Sequence, residues 1–384
     1  MAKESLRPLL KPRFLNVQGK WPPFLFMLLG ASSALVRWEP APYDLLFFPI
    51  LGVFFLRTLV WYAYQTWFLA ALGLLLLSHF PALSGGLEAS PARTLFYTVV
   101  TFYLALSAIL LMALPERARL VFLRGFEAGA LASAFLGFLA FLRLPGLEGL
   151  LWGESRAVAF FKDPNVFGAY LIPALLLSLA RVEQGKRGWL FPAIVLFLGI
   201  FSSLSRGAWV NLGVTLMGWW LLRPKKRLWL ITTLVLLAGG IGLSTILAPQ
   251  NPIAQRLGLM PYDADRFSAQ AQALQLSLDM PFGYGPGRSE IVLDYATHNT
   301  YLRILGEIGW LGLFSWLLAI GISILWALRQ ALKGKSPWHE VYFAALLGIA
   351  VESLVIDTLH WRHLWFLLGL IWAKHAPPLP HHPR

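Results

Sequence analysis

Apolar runs long enough to approach the thickness of a lipid bilayer recur along this whole chain, and they leave few folds open to it. Twelve can be marked, at about 21–36, 43–56, 58–78, 94–114, 125–142, 164–180, 189–204, 207–222, 228–248, 299–328, 340–357 and 363–373. A helix needs roughly 20 residues to cross the hydrocarbon layer, fewer where it is short or buried in a bundle. Within that layer the backbone must satisfy its own hydrogen bonds, so such runs fold as helices. Of the 384 residues 57% are hydrophobic and only 13% are charged, far more apolar surface than a soluble domain of this length needs. A signal peptide would be one such run near the N-terminus and would not repeat. The pattern predicts an all-α polytopic membrane protein of about twelve transmembrane helices, with residues 1–384 as a single transmembrane domain. The tenth run, about 45 Å long as a helix, must tilt or project.

The chain contains no cysteine, which removes disulfides, thiolate zinc sites and a cysteine nucleophile. Its net charge is +13. In a soluble protein that would point to nucleic acid. Here it reads first as topology, because Lys and Arg hold short loops on the cytoplasmic side, and no nucleic-acid partner is expected. With a cytoplasmic N-terminus, most of the 32 Lys and Arg residues fall in inner loops such as "RPKKR" (223–227) and "RQALKGK" (329–335), which puts both termini in the cytoplasm. The eleven others fall outside: Arg37, Arg93, Arg143, Arg156, Lys162, Arg206, Arg256, Arg266, Arg288, Arg303 and Arg362. All but one are arginine, whose planar, permanently charged fork suits phosphate oxygens. The outer face is therefore expected to bind an anion. The competing reading is that these arginines pair with local acids such as Glu154, Asp163, Asp263 and Asp265.

Two outer loops are substantial, 143–163 and 249–297. In the second, "DADRFSAQAQALQLSLDM" sets Phe267, Ala271, Leu274 and Leu278 on one helical stripe with Gln and Ser opposite. It predicts an amphipathic helix lying on the outer membrane surface or capping the bundle. "PFGYGPG" (281–287) then predicts a flexible, turn-rich segment. No phosphate-binding glycine loop and no His-Glu-x-x-His is present, and no Asp-x-Asp pair is read as one that holds a metal-bound nucleotide sugar, so no metal and no cofactor is expected.

Several polar residues stand where water meets lipid. His298 precedes the tenth run; its unperturbed pKa near 6.5 suits proton transfer, and Asn299 can orient it or cap the helix. The bland alternative is a loop histidine beside a cap made by Thr297 or Asn299. Arg206, in "SSLSRGAWV", sits in a connection too tight to solvate freely, a position that is functional by default unless the side chain only anchors the interface. "ESRAVAFFKDPNVFGAYL" (154–171) supplies Arg156, Lys162 and Asn165, with Asp163-Pro164 fitting a helix start. Arg266 opens the amphipathic helix, where it can bind substrate or pair with Asp263 and Asp265. Arg303 and Glu307, four apart, are expected to pair structurally, with Glu307 turned away from His298. Glu352, deep in the eleventh run, is the main ionisable group away from the outer boundary; such a group is what a transporter would use.

The segments "RAVAFFKDPNVFGAYL", "SLSRGAW", "DRFSAQAQALQLSLDMPFGYGPG" and "HNTYLRILGEIGWLG" resemble, in order, those of the O-antigen ligase and O-antigen polymerase superfamily, integral-membrane glycosyltransferases of the GT-C type. The resemblance spans 156–312. Its most specific piece is the ligase pattern of His-Asn, nine residues, Gly, two residues and a small residue, met here by His298, Asn299, Gly309 and Gly312. The Arg-x10-Gly pattern of the polymerase branch is not met: eleven residues separate Arg156 from Gly168, and Arg266 has no glycine at that distance. The ligase branch is favoured.

The resemblance implies a GT-C-like fold in a bacterial inner membrane, with 143–163 and 249–297 as periplasmic loops and the active site facing the periplasm. It implies metal-independent, inverting transfer of a glycan from undecaprenyl pyrophosphate to a hydroxyl on a lipid A-core-type glycolipid or glycan acceptor. His298 would be the base. Arg206 and Arg266, with Arg156, would bind the pyrophosphate, and Asn299, Asn165 and Lys162 would support them. Membrane lipid would surround the donor's tail, and the mobile 281–297 segment would admit the acceptor. The alternatives are an O-antigen polymerase, a protein O-oligosaccharyltransferase and a lipid-glycan exporter or flippase.

Overall fold

Helices in this protein begin where the sequence offers a residue that can cap or prime one. Asp163 and Pro164 start α6 (Pro164–Glu183), Ser90 and Pro91 start α4 (Pro91–Ala113), Ser205 caps α8 (Arg206–Leu221) and Asn299 caps α11 (Thr300–Leu332). The computed structural model describes residues 8–10, 23–58, 61–153, 155–223, 260, 262–293, 295–334 and 337–374. The remaining helices are α1 (Pro23–Ser32), α2 (Pro42–Thr58), α3 (Thr66–Ala89), α5 (Glu116–Phe141), α7 (Leu190–Ser202), α9 (Tyr262–Asp279), α10 (Ser289–Val292), α12 (Pro337–Glu352) and α13 (Arg362–Trp372). Two antiparallel pairs of very short strands, β1 (Pro8–Leu10) with β2 (Trp61–Tyr62) and β3 (Leu151–Trp152) with β4 (Arg156–Ala157), are the strands among the described residues.

This is an all-α membrane protein. Five helices, α3 (with the turn before it), α4, α5, α6 and α11, are long and apolar enough to cross a membrane. Eleven of the twelve apolar runs fall on helices; the run at 228–248 lies outside the described residues. The third run reaches further than its hydropathy indicates, because α3 continues to Ala89. His79 is therefore buried inside that helix, its Nδ1 on the Leu75 carbonyl at 2.9 Å. Where helices meet, small residues let backbones touch. Gly30 of α1 lies on the Phe122 carbonyl of α5, and Gly125 of α5 on the Met27 carbonyl of α1, so a side chain at either would collide with main chain.

One end of the bundle gathers the connections that carry polar side chains. Val36 and Arg37 donate to the Phe160 carbonyl at 3.0 and 2.9 Å, Thr300 N donates to the Ser353 carbonyl at 2.8 Å, and Arg93 reaches both Gly287 O and Glu290. The opposite end carries its own ion pairs, with Arg223 bound to Glu183 and Glu340 and Arg181 to Glu127.

Two expectations about this end change. The run at 299–328 is not one straight helix: α11 breaks at Gly309, whose φ is 76° and ψ −172°. The segment 281–287, expected to be flexible, is what breaks it. Pro281 O accepts from Trp310 N (3.0 Å), Tyr284 N donates to Gly306 O (2.8 Å) and Gly285 N donates to Glu307 O (3.0 Å). Groups that a continuous helix would bond to itself are taken by this segment, and Tyr284 is buried. The amphipathic helix is present as α9, with its small residues inward and its large apolar stripe outward. Ala269, Ala273 and Ser277 face α11, with Trp310 Nε1 on the Ser277 carbonyl at 3.1 Å, while Phe267, Leu274 and Leu278 are exposed. Small residues fit the tight contact with α11, which leaves the large apolar stripe outward.

Candidate functional site: paired clefts at one end of the bundle

Arg206 occupies the first turn of α8, where the helix dipole is already positive, so it stands there against local electrostatics unless an anion faces it. The turn before it is tight. Leu204 is buried with φ 47°, and Ser205 caps α8 by accepting from Ala208 N at 3.2 Å. The nearest anion is Asp263 of α9, whose oxygens accept from Arg206 Nη2 at 2.8 and 3.0 Å. Arg266, one turn further along α9, lies 3.6 Å from the same carboxylate, and its guanidinium stands over the Tyr262 ring at 4.6 Å. Burial alone would push the Asp263 pKa up. The hydrogen bond from Arg206, the Met260 N–H and the charge of Arg266 outweigh it and hold the carboxyl below its usual range.

Arg156 completes the set from the β4 hairpin. Its Nε donates to the Ser203 carbonyl and its Nη2 to Asn165 Oδ1, both at 3.0 Å. The Ser205 hydroxyl donates to the same Asn165 oxygen at 2.8 Å. Arg156, Arg206 and Arg266 line one cleft of about 310 Å³, together with Asn165, Gly207, Tyr262, Asp263, Gln270 and the apolar Leu354, Val355 and Ile356. Three guanidinium groups face one carboxylate there. That excess positive charge is what an anion-binding site requires.

A second cleft, of about 190 Å³, adjoins the first across Ile356, which lines both. His298 lines it with Asp163, Glu290, Thr297, Arg303, Asp357 and Trp361. The backbone around His298 is held on both sides. Gln270 Nε2 donates to the Thr297 carbonyl (2.9 Å); Asn299 caps α11 at Leu302 N (3.1 Å) and donates from Nδ2 to the Leu354 carbonyl (3.0 Å). His298 sits between these anchors with φ 46°, its half-buried ring beside Tyr295. Burial, and then the positive charge of Arg266, lower its pKa below the ordinary histidine value. The imidazole is thus neutral at neutral pH, the form that accepts a proton.

Arg303 and Glu307 pair as expected, at 3.1 Å, and the network is larger than a pair. Arg303 also binds Asp357, and Glu307 accepts from Gly287 N (2.7 Å) and from the Ser289 hydroxyl (2.7 Å). Glu307 ties α11 to the 287–289 turn and does not orient His298. Glu352 is fully buried, with Oε2 on Asn211 Nδ2 at 2.6 Å and its carboxylate behind Gly207.

The fold brings together Arg156, Asn165, Arg206 and Arg266 in one cleft and sets His298, next to Asn299, in its neighbour. Lys162 is not among them. Phe161 is buried against Phe167 and Tyr170, so the next residue turns outward, and Lys162 pairs with Glu39. Of the acids named as local partners, Asp263 pairs with Arg206 and Arg266; Arg93, Arg303 and Arg362 pair with other acids, Glu290, Glu307 and Asp44, and Arg256 lies outside the described residues. Sequence reading missed the ridge 353–358, which lines both clefts and anchors Asn299 and Thr300. No motif marks "SLVIDT", and hydropathy counts it as the end of the eleventh apolar run.

One end of this helical membrane protein thus carries a cationic cleft beside a histidine-bearing one. Residues 191–317, about a third of the chain, match the family model described as O-antigen ligase, so that region is similar to the O-antigen ligase family. Arg206, Arg266, His298, Gly309 and Gly312 fall inside the match; Arg156 and Asn165 precede it. No curated protein matches the chain.

Proposed function

We propose that this protein is a glycosyltransferase that moves a glycan from a polyprenyl pyrophosphate carrier, undecaprenyl in bacteria, to a hydroxyl of a lipid A-core-type glycolipid. It works at the periplasmic face of the inner membrane, with both termini in the cytoplasm. The observation that carries this reading is the adjacency of the two clefts: three arginines around one, His298 in the other, and the single ridge at Ile356 between them.

The chemistry follows from that layout. The acceptor O–H lies against His298, which takes the proton as the oxygen attacks the anomeric carbon. The new C–O bond forms from the face opposite the carrier, so configuration inverts. The anomeric C–O bond to phosphate breaks, and its electron pair stays on the pyrophosphate. Arg206, Arg266 and Arg156 stabilise that developing charge, which requires no metal of its own. The base contributes typically about 10²–10⁴-fold. Asn165 sets Arg156, and Asn299 sets the backbone at His298.

Purified full-length protein, undecaprenyl-pyrophosphate oligosaccharide, candidate acceptors and a chelator test it. Transfer to the glycolipid, lost in both His298→Ala and Arg206→Ala, is the expected result. Lengthening of the glycan on its polyprenyl carrier makes the protein a polymerase with the same site. Transfer that survives both substitutions sinks the site assignment.

A further inference from the structure

The two clefts differ in the sign of their charge. The arginine cleft holds Arg156, Arg206 and Arg266 against Asp263. The His298 cleft reverses the balance, with Asp163, Glu290 and Asp357 and only Arg303 as a cation. Arg303 is itself bound to both Asp357 and Glu307, and Glu290 is bound to Arg93, so Asp163 is the lining carboxylate left without an ion pair among the described residues. A phosphate or carboxylate entering beside His298 meets carboxylates of its own sign at close range, where like charges repel strongly.

Asp163 is the informative member of this cleft. Its Oδ1 accepts from Asn165 N at 2.6 Å and caps α6. A helix cap uses one carboxylate oxygen and leaves the second available. Among the described residues Asp163 forms no ion pair, and the cation next to it in sequence, Lys162, is taken by Glu39. Asp163 therefore lines the cleft as an acceptor of hydrogen bonds in search of donors. Ile356 and Trp361 supply an apolar wall. A hydrophobic wall with a few fixed polar groups is how pockets orient small ligands. The cleft's 190 Å³ is the scale of one ring rather than of an extended chain. No three His, Asp or Glu side chains among the described residues converge as metal ligands, so these carboxylates are not arranged to hold a metal ion.

We propose that the His298 cleft takes a sugar ring that carries no phosphate or carboxylate beside its attacking hydroxyl, a neutral polyol or an amino sugar, and that Asp163 binds that ring through its hydroxyl or ammonium donors. This rests on the reading of His298 as the base. The α6 first turn then serves both substrates, with Asp163 towards the acceptor and Asn165 towards the arginines.

The test uses full-length protein in nanodiscs of zwitterionic lipid and saturation-transfer NMR. The probes are methyl α-glucoside, glucosamine and glucose 6-phosphate, each measured with excess inorganic pyrophosphate to fill the arginine cleft. Methyl glucoside and glucosamine are expected to bind, glucosamine more tightly, while glucose 6-phosphate gives no signal that survives pyrophosphate. Asp163→Asn keeps a competent helix cap, since Asn and Asp cap about equally well, so thermal stability is unchanged while glucosamine binding weakens about tenfold or more. Glu290→Gln, at the exposed rim, produces a smaller loss. The proposal is overturned if glucose 6-phosphate binds as well as methyl glucoside, if neither sugar binds, or if Asp163→Asn leaves binding intact. A separate pyrophosphate titration of wild type and Arg206→Ala reads the donor assignment. Sugar binding without pyrophosphate binding would remove the donor reading and leave the acceptor class standing.

Discussion

On the proposed reading His298 is the base, and a histidine base works only while it is neutral, so its environment would set the acid side of the activity profile. Burial and the nearby Arg266 charge both disfavour the imidazolium, and the pKa lies below the ordinary 6.5. Transfer is lost as pH falls through that lowered value and is largely retained at pH 6.5. A kcat/KM profile with its acid limb at or above 6.5 would show that His298 is not the titrating base. Arg266→Gln removes the second cause and is expected to move that limb upward, besides weakening donor binding. At Arg206 the chemistry needs a fork rather than a point charge. Arg206→Ala should cost about 10²–10³-fold in turnover, as removal of one charge-stabilising donor does, and Arg206→Lys should recover only a small part of it because an ammonium cannot reproduce the planar geometry. Full rescue by lysine, measured as kcat and donor KM, would reduce Arg206 to a generic positive charge.

Among the elements, the break in α11 matters most, because it lets the 281–285 segment lie against the helix that His298 leads into. Gly309 has φ 76°, and a side chain there would meet Phe282 Cα at 2.7 Å. Gly309→Ala is expected to destabilise the protein by about 1–3 kcal/mol, the usual range for a strained backbone position. Gly321→Ala in the same helix meets nothing within 4 Å and should be neutral or slightly stabilising. Thermal unfolding in detergent checks the pair; equal melting temperatures would mean that α11 tolerates a continuous helix at Gly309. The ridge after α12 is the other decisive element. It holds Asn299 and Thr300 through the Leu354, Ser353 and Ile356 carbonyls, and it also walls both clefts.

For the molecule as a whole, the absence of cysteine makes orientation directly measurable. A single cysteine at Gly149, an exposed position at the cleft end, should react in intact cells with an impermeant maleimide. One at Gln184, exposed at the opposite end, should react only after lysis. The reverse pattern would put the clefts in the cytoplasm. Much of this architecture was legible beforehand. Apolar length and periodicity located eleven runs on helices, and Asp163 and Asn299 marked two starts, because hydropathy and capping are local properties of the chain. The sequence also singled out Arg156, Arg206, Arg266 and His298, since charge and imidazole are rare beside apolar runs. It could not say which outer arginines were spent on neighbours. Arg93, Arg303 and Arg362 pair with Glu290, Asp357 and Asp44, between 54 and 318 positions away, and only packing brings those together. The outward face of α9, the break at Gly309 and the division of one polar surface into a cationic and an acidic cleft arise the same way. They are set by which residues from distant segments share a boundary, and that boundary exists only once the helices have packed.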